Sequence, residues 1–206
     1  MGNVLRIFRS VAAVAVAVCV VATAHAAAGL DTTAMKRVVT RSATEMMYAM
    51  KSQDYAVFLR YQHPLVIKEL GGQDSAMAFF KKQLTKLSTT KITTLKAGKV
   101  LQVLKYPGGY QCVVEQLMEV MVDSARISSV LPLVGFSTDG TTWTFADGSK
   151  GAAAIRSVIP TLAGELRIPA KHTEFGKGIE ATYRAYTPMY VGTVAAKNTK
   201  RKKKRK

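Results

Sequence analysis

Residues Tyr110 to Val122 place every charged side chain on one parity. Tyr110, Cys112, Val114, Gln116, Met118, Val120 and Val122 occupy the even positions, and Gln111, Glu115, Glu119 and Asp123 fall among the odd ones. A period of two places successive side chains on opposite faces of a strand. Such a run predicts a long strand in a half-covered antiparallel sheet, apolar inside and charged towards water. The flanking sequence extends the sheet. Lys91–Tyr106 is rich in Thr, Val and Leu and predicts one or two strands, closed by the Pro107-Gly108-Gly109 turn. After Asp123-Ser124, Arg126–Thr138 is the next strand, Asp139-Gly140 reads as a two-residue hairpin, and Thr141–Ala146 completes a meander. Pro132 lacks a ladder donor and predicts a bulge or an edge at that point.

Upstream the period is helical. Met35, Val39, Ala43, Met46 and Met50 form one stripe and predict a helix over 33–51, capped by Asp31 or Thr32. Asp54 caps a second helix over 54–61, ended by His63-Pro64, and Val66-Ile67 is a short strand or one helical turn. Met77, Phe80, Leu84 and Leu87 line a third helix over 73–87. Helices followed by an antiparallel meander make an α+β fold. Gly135 and Pro132 as bending points would curl the sheet around the helices into a cone. Residues 151–158 read as a short helix or a turn, and 170–196 show no clear period and read as a partly ordered extension.

The two ends differ from the body. Residues 1–26 have the form of a cleaved secretory signal: Arg6 and Arg9, an apolar run from Val11 to Val21, and Ala24-His25-Ala26 as the cleavage site. The chain is therefore expected to be secreted or periplasmic. Cleavage removes Cys19 and leaves Cys112, so no intrachain disulfide is available and the core must carry the stability. Residues 197–206 form a basic tail. Two of the 30 basic residues lie in the leader and eight in the tail, leaving 20 against all 13 acids, so the body balances at +7 rather than +17. Lys200, Arg201, Lys202, Lys203, Lys204, Arg205 and Lys206 are expected to contact polyanions non-specifically through counterion release. With 48% hydrophobic and 21% charged residues, the remainder can fold around a core as one domain.

The string Lys51-Ser52-Gln53-Asp54-Tyr55, with Phe58, Tyr61, His63-Pro64, Val66 and Gly71-Gly72, resembles the start of a nuclear transport factor 2-like (cystatin-like, SnoaL-type) domain. Ser137-Thr138-Asp139-Gly140, Trp143-Thr144-Phe145 and Leu166–Pro169 resemble small exported members of that superfamily. The resemblance spans about residues 33–169 and implies a domain over 27–169 with helices packed in a curved, cone-shaped antiparallel sheet. The superfamily holds isomerases, dehydratases and cyclases as well as binding domains, so the fold does not select a function. Its isomerases pair an Asp base with a Tyr, and its dehydratases use His and Asp. Neither motif lays onto this sequence, and the even face of the Tyr110 strand carries no acid.

The cone predicts a small apolar pocket lined by Phe58, Tyr61, His63, Phe80, Tyr110, Gln116 and Met118. The first reading is a non-catalytic module binding a small apolar ligand or a protein partner, with a homodimer through the sheet as a further arrangement. The alternatives are an isomerase or dehydratase using His63 with a Tyr, and a surface protein held to polyanions by its tail. His63 is the one catalytic candidate. With His63 and His172 as the histidines beyond the leader and no ligand pair at short spacing, neither a metal nor a cofactor is expected.

Overall fold

The computed structural model describes residues 32–86 and 91–189. The signal segment, the Asp31 cap, Leu87, the end of the extension and the basic tail Lys200–Lys206 lie outside the described residues. The architecture is α+β, with helices and an open antiparallel sheet of five strands. The elements run α1 (Thr32–Lys51), α2 (Tyr55–Arg60), α3 (Pro64–Glu69), α4 (Gln73–Lys86), β1 (Lys91–Tyr106), β2 (Gly109–Val122), β3 (Ala125–Ser137), β4 (Thr144–Asp147), α5 (Gly151–Val158), β5 (His172–Phe175) and α6 (Ile179–Ala185). The sheet order is β1-β2-β3-β4, and β5 pairs with β3 beyond the end of β4.

The step from α1 to α2 shows how the local sequence works. Gln53 adopts a left-handed φ of 60°. The Gln53 N–H donates to the Met50 carbonyl at 3.2 Å, and the Asp54 N–H donates to that of Ala49 at 2.8 Å. These two bonds form a Schellman closure, which uses carbonyls that the helix end leaves unpaired. Asp54 then starts α2, its Oδ1 accepting from the Val57 N–H at 3.0 Å. Val66 and Ile67 belong to the short helix α3, because Pro64 at its first turn has φ already set for a helix.

The sheet is covered on both faces, not one. On the first face α1 lays Val39, Ala43, Met46 and Met47 against Cys112, Val114, Leu133, Trp143 and Phe145. On the second, Val113, Val134, Phe136 and Ala146 pack under Ile155, Ile159, Leu162, Leu166 and Ile168, and Leu117 and Val130 pack under Ile179. Each such aliphatic side chain contributes about 1.5–3 kcal/mol when fully buried. The expectation of a solvated, charged face on β2 is therefore corrected: Gln111, Glu115 and Glu119 are buried, at 0%, 1% and 9% exposure. The cover is the chain after β4. Residues 170–189, which have no clear period in sequence, supply a fifth strand and a helix on this face.

Two turn readings resolve differently. Asp139-Gly140 is not a two-residue hairpin. Asp139 Oδ1 accepts from the N–H groups of Thr141 and Thr142 at 2.7 and 2.8 Å, and residues 138–143 form a longer loop before β4. Asp side chains commonly compete with the hairpin in this way. Pro132 pairs in unbroken register with Glu115. Its carbonyl accepts from the Gly148 N–H, so its nitrogen points the same way, towards the gap between the ends of β4 and β5. The missing donor therefore falls at a local edge.

Gly135 faces Cys112 on the α1 side. A Cβ there would lie 2.5 Å from Cys112 Sγ and 3.1 Å from both Phe145 and Trp143. Gly135→Ala is expected to destabilise the domain by about 1–3 kcal/mol through overpacking. Cys112→Ala in the same chain should restore part of that loss, because it removes the nearest atom. Urea midpoints of the two variants check this, and an unshifted midpoint for Gly135→Ala would refute it.

Candidate functional site

The residues expected to line a pocket fall into three places. Phe58 and Phe80 meet edge to face at 5.1 Å and belong to the core under α1, with Tyr61 and Tyr110 packed around it. Tyr61 directs its hydroxyl outward to Glu45, and burial, then that bond, raises its pKa. His63 lies elsewhere. Its backbone is pinned to β4 by the His63 N–H donating to the Phe145 carbonyl at 2.9 Å. Its ring packs edge-on against Phe136, in the core on the second face, with centroids 4.6 Å apart. Nδ1 accepts from the Leu65 N–H at 3.2 Å and so caps α3. An accepting Nδ1 requires the neutral ring, and burial lowers the His63 pKa in the same sense. Although Tyr61 is two residues away, its hydroxyl and the imidazole have separate partners.

Gln116 and Met118 form the third group. They share the α1-side face of β2 with Cys112 and Val114, opposite Ala97 and Leu95 on β1 and Leu131 and Ser129 on β3. Gln116 is 8% exposed, a buried amide on this face. Met118 and Leu131 are half-buried beside it. The same face ends at Phe175, which is 72% exposed and pairs with Ile127. Cys112 is fully enclosed, and burial pushes its thiol far above the usual range, which makes it a packing residue.

The opposite face carries the polar arrangement that sequence reading missed. The Gln102 amide accepts from the Arg167 N–H at 2.9 Å and donates to the Glu165 carbonyl at 3.3 Å. Gln111 repeats this pattern, accepting from the Ala163 N–H at 2.9 Å and donating to the Thr161 carbonyl at 2.8 Å. Glu115 Oε2 accepts from the Tyr183 hydroxyl at 2.6 Å and from the Lys99 N–H at 3.1 Å. Glu119 accepts from Thr93 Oγ1 at 2.7 Å and from the Ile179 N–H at 2.7 Å, with Arg126 4.0 Å away. Four side chains of β1 and β2 thus hold backbone and hydroxyl groups of the segment 161–183. The signal for this was present in sequence: a long strand face with two Glu and a Gln, followed by a chain segment with no other surface to bury.

A groove lies between α1 and the bulged part of β1. It has a volume of about 640 Å³ and is lined by Lys36, Arg37, Thr40 and Arg41 of α1 and by Gly98, Lys99 and Val100 at a bulge of β1. None of the residues expected to line a pocket borders it. Among the described residues no cluster of three or more His, Cys, Asp or Glu suits a metal ion, and no helix is long and apolar enough to cross a membrane.

The Glu119 carboxyl is held below its ordinary 4.5, chiefly by the Thr93 hydroxyl, with further help from the Ile179 N–H, Arg126 and Ser128 and against the cost of burial. A depressed carboxyl pKa stabilises the fold above the ordinary value, and that stability is lost as pH falls through the folded one. The start of α6 is therefore expected to loosen in acid. Hydrogen exchange at the Ile179 amide should accelerate below pH 4.5, after correction for intrinsic rates. In Glu119→Gln exchange should be faster at neutral pH and lack that acid step. An acid step of the same size in both proteins would refute the assignment.

Compared with known families, curated proteins and solved structures, the chain matches none.

Proposed function

We propose that the chain is an exported, nuclear transport factor 2-like module that binds a ligand or partner without transforming it. The observation that carries this reading is how the interior acids and bases are used. Glu115 and Glu119 are occupied by donors of the chain's own C-terminal segment, His63 by the α3 amide, and Cys112 by core packing. General acid–base chemistry needs such groups to converge on an open site, and these do not converge. The order of an N-terminal helical region, α1 to α4, followed by an antiparallel meander supports the superfamily reading, whose cone-shaped curvature is part of this proposal.

The ligand surface we assign is the α1-side face of the sheet around Gln116, Met118 and Leu131, ending at Phe175. A nearly buried amide among apolar side chains suits a small, mostly apolar ligand with one polar group. Export rests on the leader, and a second, non-specific contact with polyanions rests on Lys200–Lys206.

Binding can be followed with N-phenyl-1-naphthylamine, a neutral apolar fluorophore. Its emission should rise on mixing with the native protein, and Met118→Lys should weaken binding about tenfold, whereas His63→Ala should retain it. Equal binding by Met118→Lys and the parent would remove the assigned surface. The export reading is checked separately by N-terminal sequencing of exported protein. The expected first residue is Ala27, and an intact Met1 would refute processing.

A further inference from the structure

We propose that the groove between α1 and the bulged edge of β1 binds an amphipathic anion, a single acidic head on a hydrocarbon body. The inference is independent of the apolar surface around Met118 and rests on different residues.

Charge comes first. Lys36, Arg37 and Arg41 project from the α1 side and Lys99 from the β1 side. Among the described residues, two carboxylates are tied to residues that line it. Glu45 lies 3.8 Å from Arg41 across a solvent-exposed pair and also accepts the Tyr61 hydroxyl. Glu115 lies behind Gly98, with Oε2 occupied by the Lys99 N–H and the Tyr183 hydroxyl. Four cations against two engaged carboxylates leave the groove net positive. Among the described residues neither Lys36 nor Arg37 has an ion-pair partner. Arg37 and Arg41 are also like charges one helical turn apart, and the first turn of α1 has no acid to offset them. Such an arrangement is relieved by a bound anion.

The walls decide the kind of anion. The groove surface is largely apolar although four of its lining residues are cationic, as long Lys and Arg side chains allow through their methylene stems. A small inorganic anion drawn into it would lose hydration without gaining a convergent set of donors. A neutral hydrocarbon would gain burial but leave the cations unmatched. An acid on an apolar body satisfies both, and the volume suits a ligand of that size. The bulge contributes directly. The β1–β2 register shifts between Ala97 and Val100, opening the edge at Gly98-Lys99. Lys99 lines the groove, and its Nζ sits 5.6 Å from the Tyr183 ring centre.

The test uses the full chain, so that the basic tail is common to every sample, titrated by calorimetry with dodecanoate, dodecanol and inorganic phosphate. Dodecanoate should bind at least about tenfold tighter than either control. The double variant Arg37→Glu/Lys99→Glu should lose about tenfold or more in dodecanoate affinity with its thermal midpoint unchanged, whereas Lys99→Arg should retain it. Equal affinity for dodecanol, equal affinity for phosphate, or undiminished dodecanoate binding by the double variant would each overturn the proposal. Should the double variant fail to fold, amine acetylation of the parent decides: dodecanoate should protect Lys36 and Lys99, and absence of protection overturns the site.

Discussion

Two carboxylates placed inside the sheet are the constraint on which the rest of the molecule depends. A buried carboxylate without partners costs several kcal/mol, so Glu115 and Glu119 require donors. The donors come from the far end of the chain, the Ile179 N–H and the Tyr183 hydroxyl, together with Thr93 and the Lys99 N–H. The relation is reciprocal. Ile179 opens α6, and its N–H is one of those a helix start leaves unpaired. Each side supplies what the other lacks, while Leu117, Val130 and Ile179 close apolar contact around the bonds. Gln102 and Gln111 extend the principle, since a primary amide carries both N–H donors and an acceptor oxygen and here gives one bond and takes one from a passing backbone, as a strand would.

This arrangement explains why one chain carries two cores around a single sheet. The α1 side is filled by methionines, Trp143 and Phe145, with Gly135 leaving the room the aromatic rings occupy. The other side is closed by segments short in secondary structure, α5, the run from Ile159 to Ile168, β5 and α6, that bury moderate apolar area and rely on fixed polar bonds for register. Hydrogen bonds to charged groups contribute about 1.5–3 kcal/mol each, enough to order such a segment when few apolar residues are available.

Local pattern made most elements readable. The α1 stripe, the Asp54 cap, the strands flanking Tyr110–Val122 and the helix over 151–158 depend on neighbours in sequence, and period and capping chemistry report them directly. What stayed hidden was long-range. Glu115 and Glu119 look like solvent residues because polarity alone does not distinguish a carboxylate facing water from one facing an amide sixty residues away. The same limit applies to the site. Phe58 and Phe80 are neighbours as helical stripes imply, but the pairing of His63 with Leu65 and Phe136 rather than with a tyrosine depends on where α3 meets the sheet. The groove cations lie some sixty residues apart in sequence, and folding alone brings Lys99 of β1 to the same groove as Arg37 and Arg41 of α1.

The bulge at Gly98 joins these threads. A Cβ at this position would stand 3.0 Å from Glu115 Cβ and 3.1 Å from Oε2, so the carboxylate reaches the edge strand because residue 98 has no side chain. The irregular register frees the Lys99 N–H from the ladder, and that N–H donates to the carboxylate instead. One departure from regular pairing therefore satisfies the acid beneath the sheet and opens the cationic edge outside it. It also protects the chain. A sixteen-residue edge strand invites pairing with another copy, and bulges with exposed lysines are the usual means of preventing it. Lys91, Lys96, Lys99 and Lys105 lie along β1, and Lys96 is tied to Glu180 of α6 at 2.6 Å. Edge protection, the seat of the C-terminal segment and the proposed anion groove thus share one stretch of backbone.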